Sequence, residues 1–304
     1  MKTLYLHCGT HKTGSTAIQM FLHDNKKILS KNNIEYPEIG YTTQYAYNNH
    51  NIFWNINGDH RYELSSKGYN DFINYLKKEK KNIIISSEDI QFINIKKDIY
   101  KDLLENLKKC GYELKVIIYL RNQIDYLKGI YQSMLMSGAS YKNINEAVDE
   151  LKTNSNYIKW KEISYCFDYH YLINNIIEML ELEKKNLICL SYDENKNFLL
   201  DNFLKIININ EKFDFEKYQK INRGIYQLSV NLIEKFNNIS NKIDVSDNQI
   251  SKAKHALIYG LPFHIGKKFE ITDKLIREFL IKSFKEKNEV VEKLFNIKIN
   301  KWLN

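Results

Sequence analysis

Short runs of continuous apolar residues alternate along this chain with longer stretches in which apolar positions recur every three or four residues. The runs are Leu4-Tyr5-Leu6, Ile83-Ile84-Ile85, Leu114 to Leu120 and Leu187 to Leu190. They predict short strands, the second over Asn82 to Ser86, each buried on both faces. Between them lie helical stripes. Ile18, Phe21, Leu22, Ile28 and Leu29 mark a helix from about Ser15 to Ser30, and Phe72, Ile73, Tyr75 and Leu76 mark one from Asp71 to Lys80. Tyr100, Leu103, Leu104 and Leu107 mark another, and Gln123 to Ser137 follows the third strand. Strands separated by helices predict an α/β fold, a central parallel sheet flanked by helices. In such sheets ligands bind beyond the carboxyl ends of the strands.

From about Phe213 the strand pattern stops, and stripes at Ile225 to Phe236 and Ile271 to Phe295 predict a C-terminal helical lobe. Only Pro37 and Pro262 punctuate the chain, and no repeat or low-complexity linker is visible. The expectation is a single domain over 1–304, with an α/β core at 1–212 and a helical lobe at 213–304.

Composition narrows the class. With 43% hydrophobic and 27% charged residues over 304 positions, the chain can bury a substantial core and reads as soluble and globular, not disordered. No apolar run approaches the roughly 18–20 residues of a membrane helix, and the N-terminus opens directly on the first strand, so a cytoplasmic location is expected. Cys8, Cys110, Cys166 and Cys189 are far apart and form no C-x-x-C pair, so they read as buried apolar fillers with neither zinc nor disulfides. A net charge of +8 favours anionic ligands. Lysine runs such as Lys77-Lys78-Glu79-Lys80-Lys81 read as solvated helix faces, and no arginine-rich or aromatic-basic pattern points to nucleic acid.

The chemistry-bearing segment follows the first strand: Cys8-Gly9-Thr10-His11-Lys12-Thr13-Gly14-Ser15-Thr16, then a helix. A glycine loop opening a helix aims backbone N–H groups and the positive end of the helix dipole at one point, which suits a phosphate. The nucleotide-triphosphatase pattern G-x-x-x-x-G-K-[ST] puts lysine directly after the second glycine. Here Ser15 holds that slot and the lysine stands two residues before Gly14, at Lys12.

At the end of the strand Val116 to Leu120, Arg121 precedes a helix opened by Asn122-Gln123. It can offer a fork to a second phosphate, cap the helix, or pair with Asp125. Ile83-Ile84-Ile85-Ser86-Ser87-Glu88-Asp89 releases two carboxylates at a strand end. Glu88 suits a general base or a helix cap. His50, in Asn48-Asn49-His50-Asn51, is the competing base, or else a surface turn residue. His11 either contacts phosphate or caps the helix.

His11-Lys12-Thr13-Gly14-Ser15-Thr16 after a strand resembles the 5′-phosphosulfate loop of sulfotransferases that use 3′-phosphoadenosine 5′-phosphosulfate (PAPS). The strand ending in Ser86-Ser87-Glu88 is similar to that of bacterial members, which also tend to carry a histidine near position 50. Ile34-Glu35-Tyr36-Pro37, Leu190-Ser191-Tyr192 with Asn202-Phe203-Leu204, Asn222-Arg223-Gly224 and Trp302 look like the bacterial carbohydrate-sulfotransferase pattern. The segment from Gly138 to Ile177 matches poorly and is a candidate for shaping the acceptor site.

The resemblance implies a fold, an activity and roles. Lys12, Thr13, Gly14, Ser15, Thr16 and His11 would bind the donor's 5′-phosphosulfate, and Arg121 its 3′-phosphate. The family usually adds a serine eight residues after that arginine; here the position is Gly129, and Ser133 is the substitute one turn further on. Lys12 would stabilise charge on the leaving oxygen, and Glu88 or His50 would take the acceptor's proton. The expected activity is sulfuryl transfer from PAPS, without a metal, to a carbohydrate hydroxyl or amine of a bacterial surface polysaccharide or glycolipid. Two alternatives stand beside it. One is a P-loop kinase with Asp89 as magnesium ligand; the other is a non-catalytic nucleotide-binding protein, favoured by Gly129.

Overall fold

The computed structural model describes residues 1–42, 47–90, 92–93, 96, 98–161, 163–219, 226–240, 252 and 267–300. Two segments singled out above, Asn222-Arg223-Gly224 and Trp302, lie outside the described residues, as does Pro262.

Seven strands are described: β1 (Lys2–His7), β2 (Ile34–Glu35), β3 (Asn82–Ser86), β4 (Tyr112–Leu120), β5 (Tyr157–Trp160), β6 (Ile163–Cys166) and β7 (Leu187–Ser191). Around them run α1 (Ser15–Asp24), α2 (Lys26–Lys31), α3 (His50–Asn57), α4 (Tyr69–Lys78), α5 (Lys101–Lys109), α6 (Gln123–Met136), α7 (Ile144–Asn154), α8 (Tyr169–Met179), α9 (Tyr192–Asn195), α10 (Leu199–Ile206), α11 (Glu216–Gln219), α12 (Gln227–Ser240) and α13 (Lys274–Phe295). The helix expected over Ser15 to Ser30 is two helices. Asn25 breaks it, its amide donating back to the Phe21 carbonyl at 2.8 Å, a side-chain competition with the backbone ladder that favours a turn there.

The chain divides into two compact units. The first comprises residues 1–121, 169–221 and 288–299, and the second 122–168, 222–287 and 300–304. The first is built on a five-stranded parallel sheet of order β2-β3-β1-β4-β7. One row of inward residues, Tyr5, Ile84, Ile117 and Tyr119, packs with Ile18, Phe21 and Leu22 of α1 and Phe203 and Leu204 of α10. The alternate row, Leu4, Leu6, Ile83, Ile85, Val116 and Ile118, is buried as well. Burial on both faces is why these strands read as unbroken apolar runs. The chain leaves β1 first toward β2 and β3 on one side and later fills β4 and β7 on the other, so the crevice above β1 is the topological switch point, where open α/β sheets bind ligands.

The second unit joins α6, α7, the antiparallel β5–β6 pair, α12 and the first part of α13 around Leu127, Ile130, Tyr131, Ile233, Leu280 and Phe284. Cys8, Cys166 and Cys189 are buried, whereas Cys110 is half-buried because it ends α5 at the surface. No helix among the described residues is long and apolar enough to cross a membrane.

Candidate active site

The loop after β1 is zipped to the neighbouring strand before it turns into α1. The Cys8 amide donates to the Ile117 carbonyl at 3.0 Å and the Thr10 amide to that of Tyr119 at 3.3 Å, with the Thr10 hydroxyl adding a second bond to the same carbonyl. Thr13 is fully buried and its hydroxyl donates back to the Thr10 carbonyl, closing the loop on itself. Lys12 has a left-handed backbone, φ 65°, and so does Gly14, φ 82°, which is the N-cap of α1. No side chain caps that helix and no acidic residue stands in its first turn. Its positive end is therefore open to an anion.

Gly14 cannot be replaced at no cost. A Cβ there would lie 2.5 Å from Leu199 Cδ2 and 3.2 Å from Tyr192 Cε2, in a backbone conformation L-residues avoid. Gly14→Ala is expected to lose about 1–3 kcal/mol, read by chemical denaturation; an unchanged denaturation midpoint would show that the loop relaxes freely.

Lys12 and Arg121 supply the positive charge. The Lys12 side chain is open to solvent yet deep among protein atoms, so lost hydration lowers its pKa, Glu88 acts to raise it and Arg121 adds to the lowering. Arg121 leaves the end of β4 and its Nη1 donates to the Lys12 carbonyl at 3.0 Å. Its guanidinium lies 5.2 Å from the centre of the Tyr192 ring, and the Tyr169 hydroxyl donates to its carbonyl at 2.5 Å. The buried Nε of Arg121 has no partner among the described residues. A half-buried guanidinium held at one corner is the kind of fork a second phosphate uses. Ser133, the residue expected to assist it, lies half-buried on α6 in the second unit.

Glu88 and His50, expected as rivals, stand together. Glu88 Oε1 accepts from the Ser15 hydroxyl, Oε2 accepts from Gln19 Nε2 at 2.7 Å, and His50 Nε2 lies 3.8 Å from Oε2. Burial would raise the Glu88 pKa, but His50, His11 and the bonds from Ser15 and Gln19 outweigh it and hold the carboxyl ionised below its usual range. His50 Nδ1 is 2.7 Å from Ser87 Oγ. The asparagine-rich segment is not a surface turn: Asn48, Asn49, His50 and Asn51 are all buried. Asn49 causes this. Its amide donates to the Pro37 and Ile39 carbonyls, its Oδ1 accepts from the Ser86 amide at 2.9 Å, and its own amide returns a bond to the Ser86 carbonyl at 2.9 Å. The segment is thereby fastened to the end of β3, and His50 opens α3 beside Ser87.

His11 Nε2 lies 3.2 Å from Asp89 Oδ1. Three further residues escaped the sequence reading: Gln19, Arg61 and His7. For Gln19 a signal existed, since it is four residues after Ser15 on the same face of α1. His7 is 1% exposed at the end of β1, its Nδ1 2.8 Å from Ser86 Oγ, with the Phe203 and Tyr119 rings edge-on to it and no partner for Nε2 among the described residues. Burial drops its pKa from 6.5 to about 4, against a weaker upward pull from Glu88. The unfolded chain therefore takes up this proton first. The stability His7 contributes is complete above pH 6.5 and falls by about 3 kcal/mol as pH drops toward 4. Thermal midpoints of the wild type should decline over this window, and His7→Gln should flatten the decline. Parallel curves would contradict a buried neutral His7.

Asp89 is the carboxylate a kinase-like magnesium site would use. Its Oδ1 faces His11, and its Oδ2 accepts from Trp54 Nε1 at 2.8 Å and Arg61 Nη1 at 2.7 Å. Both oxygens thus face N–H donors, one of them a guanidinium, which is poor chemistry for a cation ligand. Among the described residues no three His, Cys, Asp or Glu side chains gather as a metal site.

No protein-family profile and no curated protein matches this chain. Solved structures do. A sulfotransferase from Alicyclobacillus acidocaldarius aligns over 100% of both chains with a TM-score of 0.57 at 10% identity. A sulfotransferase domain from the curacin biosynthetic pathway aligns over 92% of this chain and 96% of its own, with a TM-score of 0.37 at 9% identity. A structure from the PezAT toxin-antitoxin system of Streptococcus pneumoniae covers 95% and 88%, with a TM-score of 0.32 at 13% identity. The last two overlap too loosely to carry an argument. The parallel five-stranded sheet, its flanking helices and the full-length alignment with the first structure together show that this chain has the sulfotransferase fold.

Proposed function

We propose that this chain is a PAPS-dependent sulfotransferase that transfers a sulfuryl group to a hydroxyl or amine of a carbohydrate acceptor belonging to a bacterial surface polysaccharide or glycolipid. One observation carries the reading: the loop that joins the uncapped start of α1, Lys12 and Arg121 is bonded through the Ser15 hydroxyl to the carboxylate of a buried histidine–carboxylate pair. The first three suit a nucleotide with two separated phosphate groups, and the pair suits an acceptor that must lose a proton.

The donor's residues fit on chemical grounds. Amides of Gly14, Ser15 and Thr16 at the open helix end would hold the 5′-phosphate, and the half-buried Arg121 guanidinium the 3′-phosphate. A recess beside Gly14 and Ala17, lined by Tyr192, Leu199, Phe215 and Tyr218, suits a flat base. The donor supplies an activated sulfuryl group whose bond to the phosphate breaks in the transfer.

The chain's own residues do the rest. Lys12 stabilises charge that develops on the phosphate oxygen, as in related in-line transfers where positioning and electrostatics dominate. His50 takes the acceptor's proton and Glu88, already saturated by Ser15 and Gln19, stabilises the imidazolium that results. The hydroxyls of Thr13 and Ser15 are engaged within the protein, which leaves Thr16 as the hydroxyl of the loop that meets the donor. The saturated Asp89 weighs against the kinase alternative.

Incubating the purified protein with PAPS labelled in its sulfur and a panel of bacterial polysaccharides and glycolipids tests this reading. Label retained on a glycan supports it. Label moved only to proteins or small phenols would move the acceptor class elsewhere.

A further inference from the structure

Asp89 has no part in the steps above, yet three donors converge on its carboxylate. The side chain is 6% exposed. His11 Nε2 is at 3.2 Å, Trp54 Nε1 at 2.8 Å and Arg61 Nη1 at 2.7 Å. Arg61 is gripped in turn by Asp59, Nε to Oδ1 at 3.0 Å and Nη2 to Oδ2 at 2.6 Å, and lies 4.7 Å from the centre of the Trp54 ring. The backbone amide of Asp89 donates to Ser87 Oγ at 3.2 Å, the same hydroxyl that meets His50 Nδ1. One residue thus ties the donor loop to α3, to the turn at 59–61 and to the partner of the base. Burial opposes its ionisation, but His50, His11 and Arg61 hold the carboxyl far below its usual range.

A buried anion with its donors in place is a fixed point in the structure. His11 immediately precedes Lys12, whose φ of 65° a lysine adopts only where the surroundings impose it. Two anchors bracket that residue: the ring of His11 on Asp89, and the Lys12 carbonyl on Arg121 Nη1. We propose that Asp89 is a positioning residue for the transfer, holding His11 and through it the left-handed turn that aims Lys12 at the reacting group, with Arg61 and Trp54 holding Asp89. The role rests on the sulfotransferase reading. It separates from phosphate binding, which belongs to the amides at the start of α1 and to Arg121.

The test is a double-mutant cycle of Asp89→Asn and His11→Gln, with kcat and KM for PAPS and the affinity for adenosine 3′,5′-bisphosphate measured on each folded variant. Misaiming a catalytic cation by a fraction of an ångström to an ångström costs roughly 10- to 100-fold. Asp89→Asn is expected to lower kcat by about that factor with bisphosphate affinity and KM within about threefold of wild type. The double variant should be no slower than the worse single one, because both substitutions cut the same link. Arg61→Lys, which keeps the charge and loses the fork, should lower kcat in the same direction by a smaller factor, and it decides the matter should Asp89→Asn not fold. Additive losses overturn the proposal, as does full kcat per folded molecule with only a lower melting temperature. Wild-type enzyme that binds the bisphosphate and transfers sulfur while Asp89→Asn keeps full kcat sinks the positioning role alone; wild-type enzyme that does not bind the bisphosphate sinks the sulfotransferase reading and this role with it.

Discussion

Lys12→Ala is expected to lower kcat for sulfuryl transfer by about 10²- to 10³-fold and to leave the protein folded. The two halves of this expectation have separate causes. The ammonium is the cation of the loop itself, near enough to Glu88 for that carboxylate to act on its ionisation, and it is the charge assigned to the leaving phosphate oxygen. Interactions made with charge that appears only during reaction are lost from kcat and not from ground-state binding. The fold survives because Lys12 is exposed and contributes its backbone, not its side chain, to the loop: its carbonyl receives Arg121 whatever the side chain is. Alanine at φ 65° pays the same left-handed cost as lysine, so the turn is no worse off. Steady-state kinetics with PAPS, alongside circular dichroism, check this. A variant that retains more than a tenth of wild-type kcat would remove Lys12 from the mechanism.

The second large effect is expected at the histidine–carboxylate pair. His50→Ala should reduce kcat by about 10²- to 10⁴-fold, the usual worth of a positioned general base. Glu88→Gln should reduce it less, because glutamine keeps one acceptor oxygen, enough for either the Gln19 amide or the Ser15 hydroxyl, and removes the charge opposite His50 while leaving the base itself in place. The order of the two effects separates the roles. If Glu88 were itself the base, Glu88→Gln would be the more damaging substitution and His50→Ala the milder. The His50 ring meets Ser87 and Glu88, so binding of adenosine 3′,5′-bisphosphate should stay within about threefold of wild type in His50→Ala, whereas Glu88→Gln, whose side chain is bonded to Ser15 at the start of α1, is expected to shift it further.

Much of this site is legible in the sequence because strand ends are legible. Asn82 to Ser86 is a strand with those bounds, and the run ending at Leu120 places Arg121 at a strand end without any knowledge of the fold. Lys12, Glu88 and Arg121 all follow such runs, so a parallel sheet brings them to one edge. What sequence does not carry is the set of bonds made across distant segments. His50 looks like part of a polar surface turn because nothing local says that Asn49 will pair with the backbone of Ser86. Glu88 and His50 read as competitors because their 3.8 Å separation is created by that same pairing. Asp59, Arg61, Trp54 and Asp89 form no spacing pattern at all; tertiary packing assembles them. At the level of elements, β2 has two residues, too few for a periodic signal, and the break at Asn25 depends on a side-chain bond that apolar periodicity does not register.

The proposed transfer requires a donor nucleotide that carries a 3′-phosphate. Calorimetric titration of the purified protein with adenosine 3′,5′-bisphosphate, and separately with ADP and magnesium, tests that directly. Saturable binding of the bisphosphate is expected, weakened at least tenfold by Arg121→Ala for loss of a charge-assisted phosphate contact, with much weaker binding of ADP and magnesium. Preference for ADP and magnesium, or bisphosphate binding indifferent to Arg121, would contradict it.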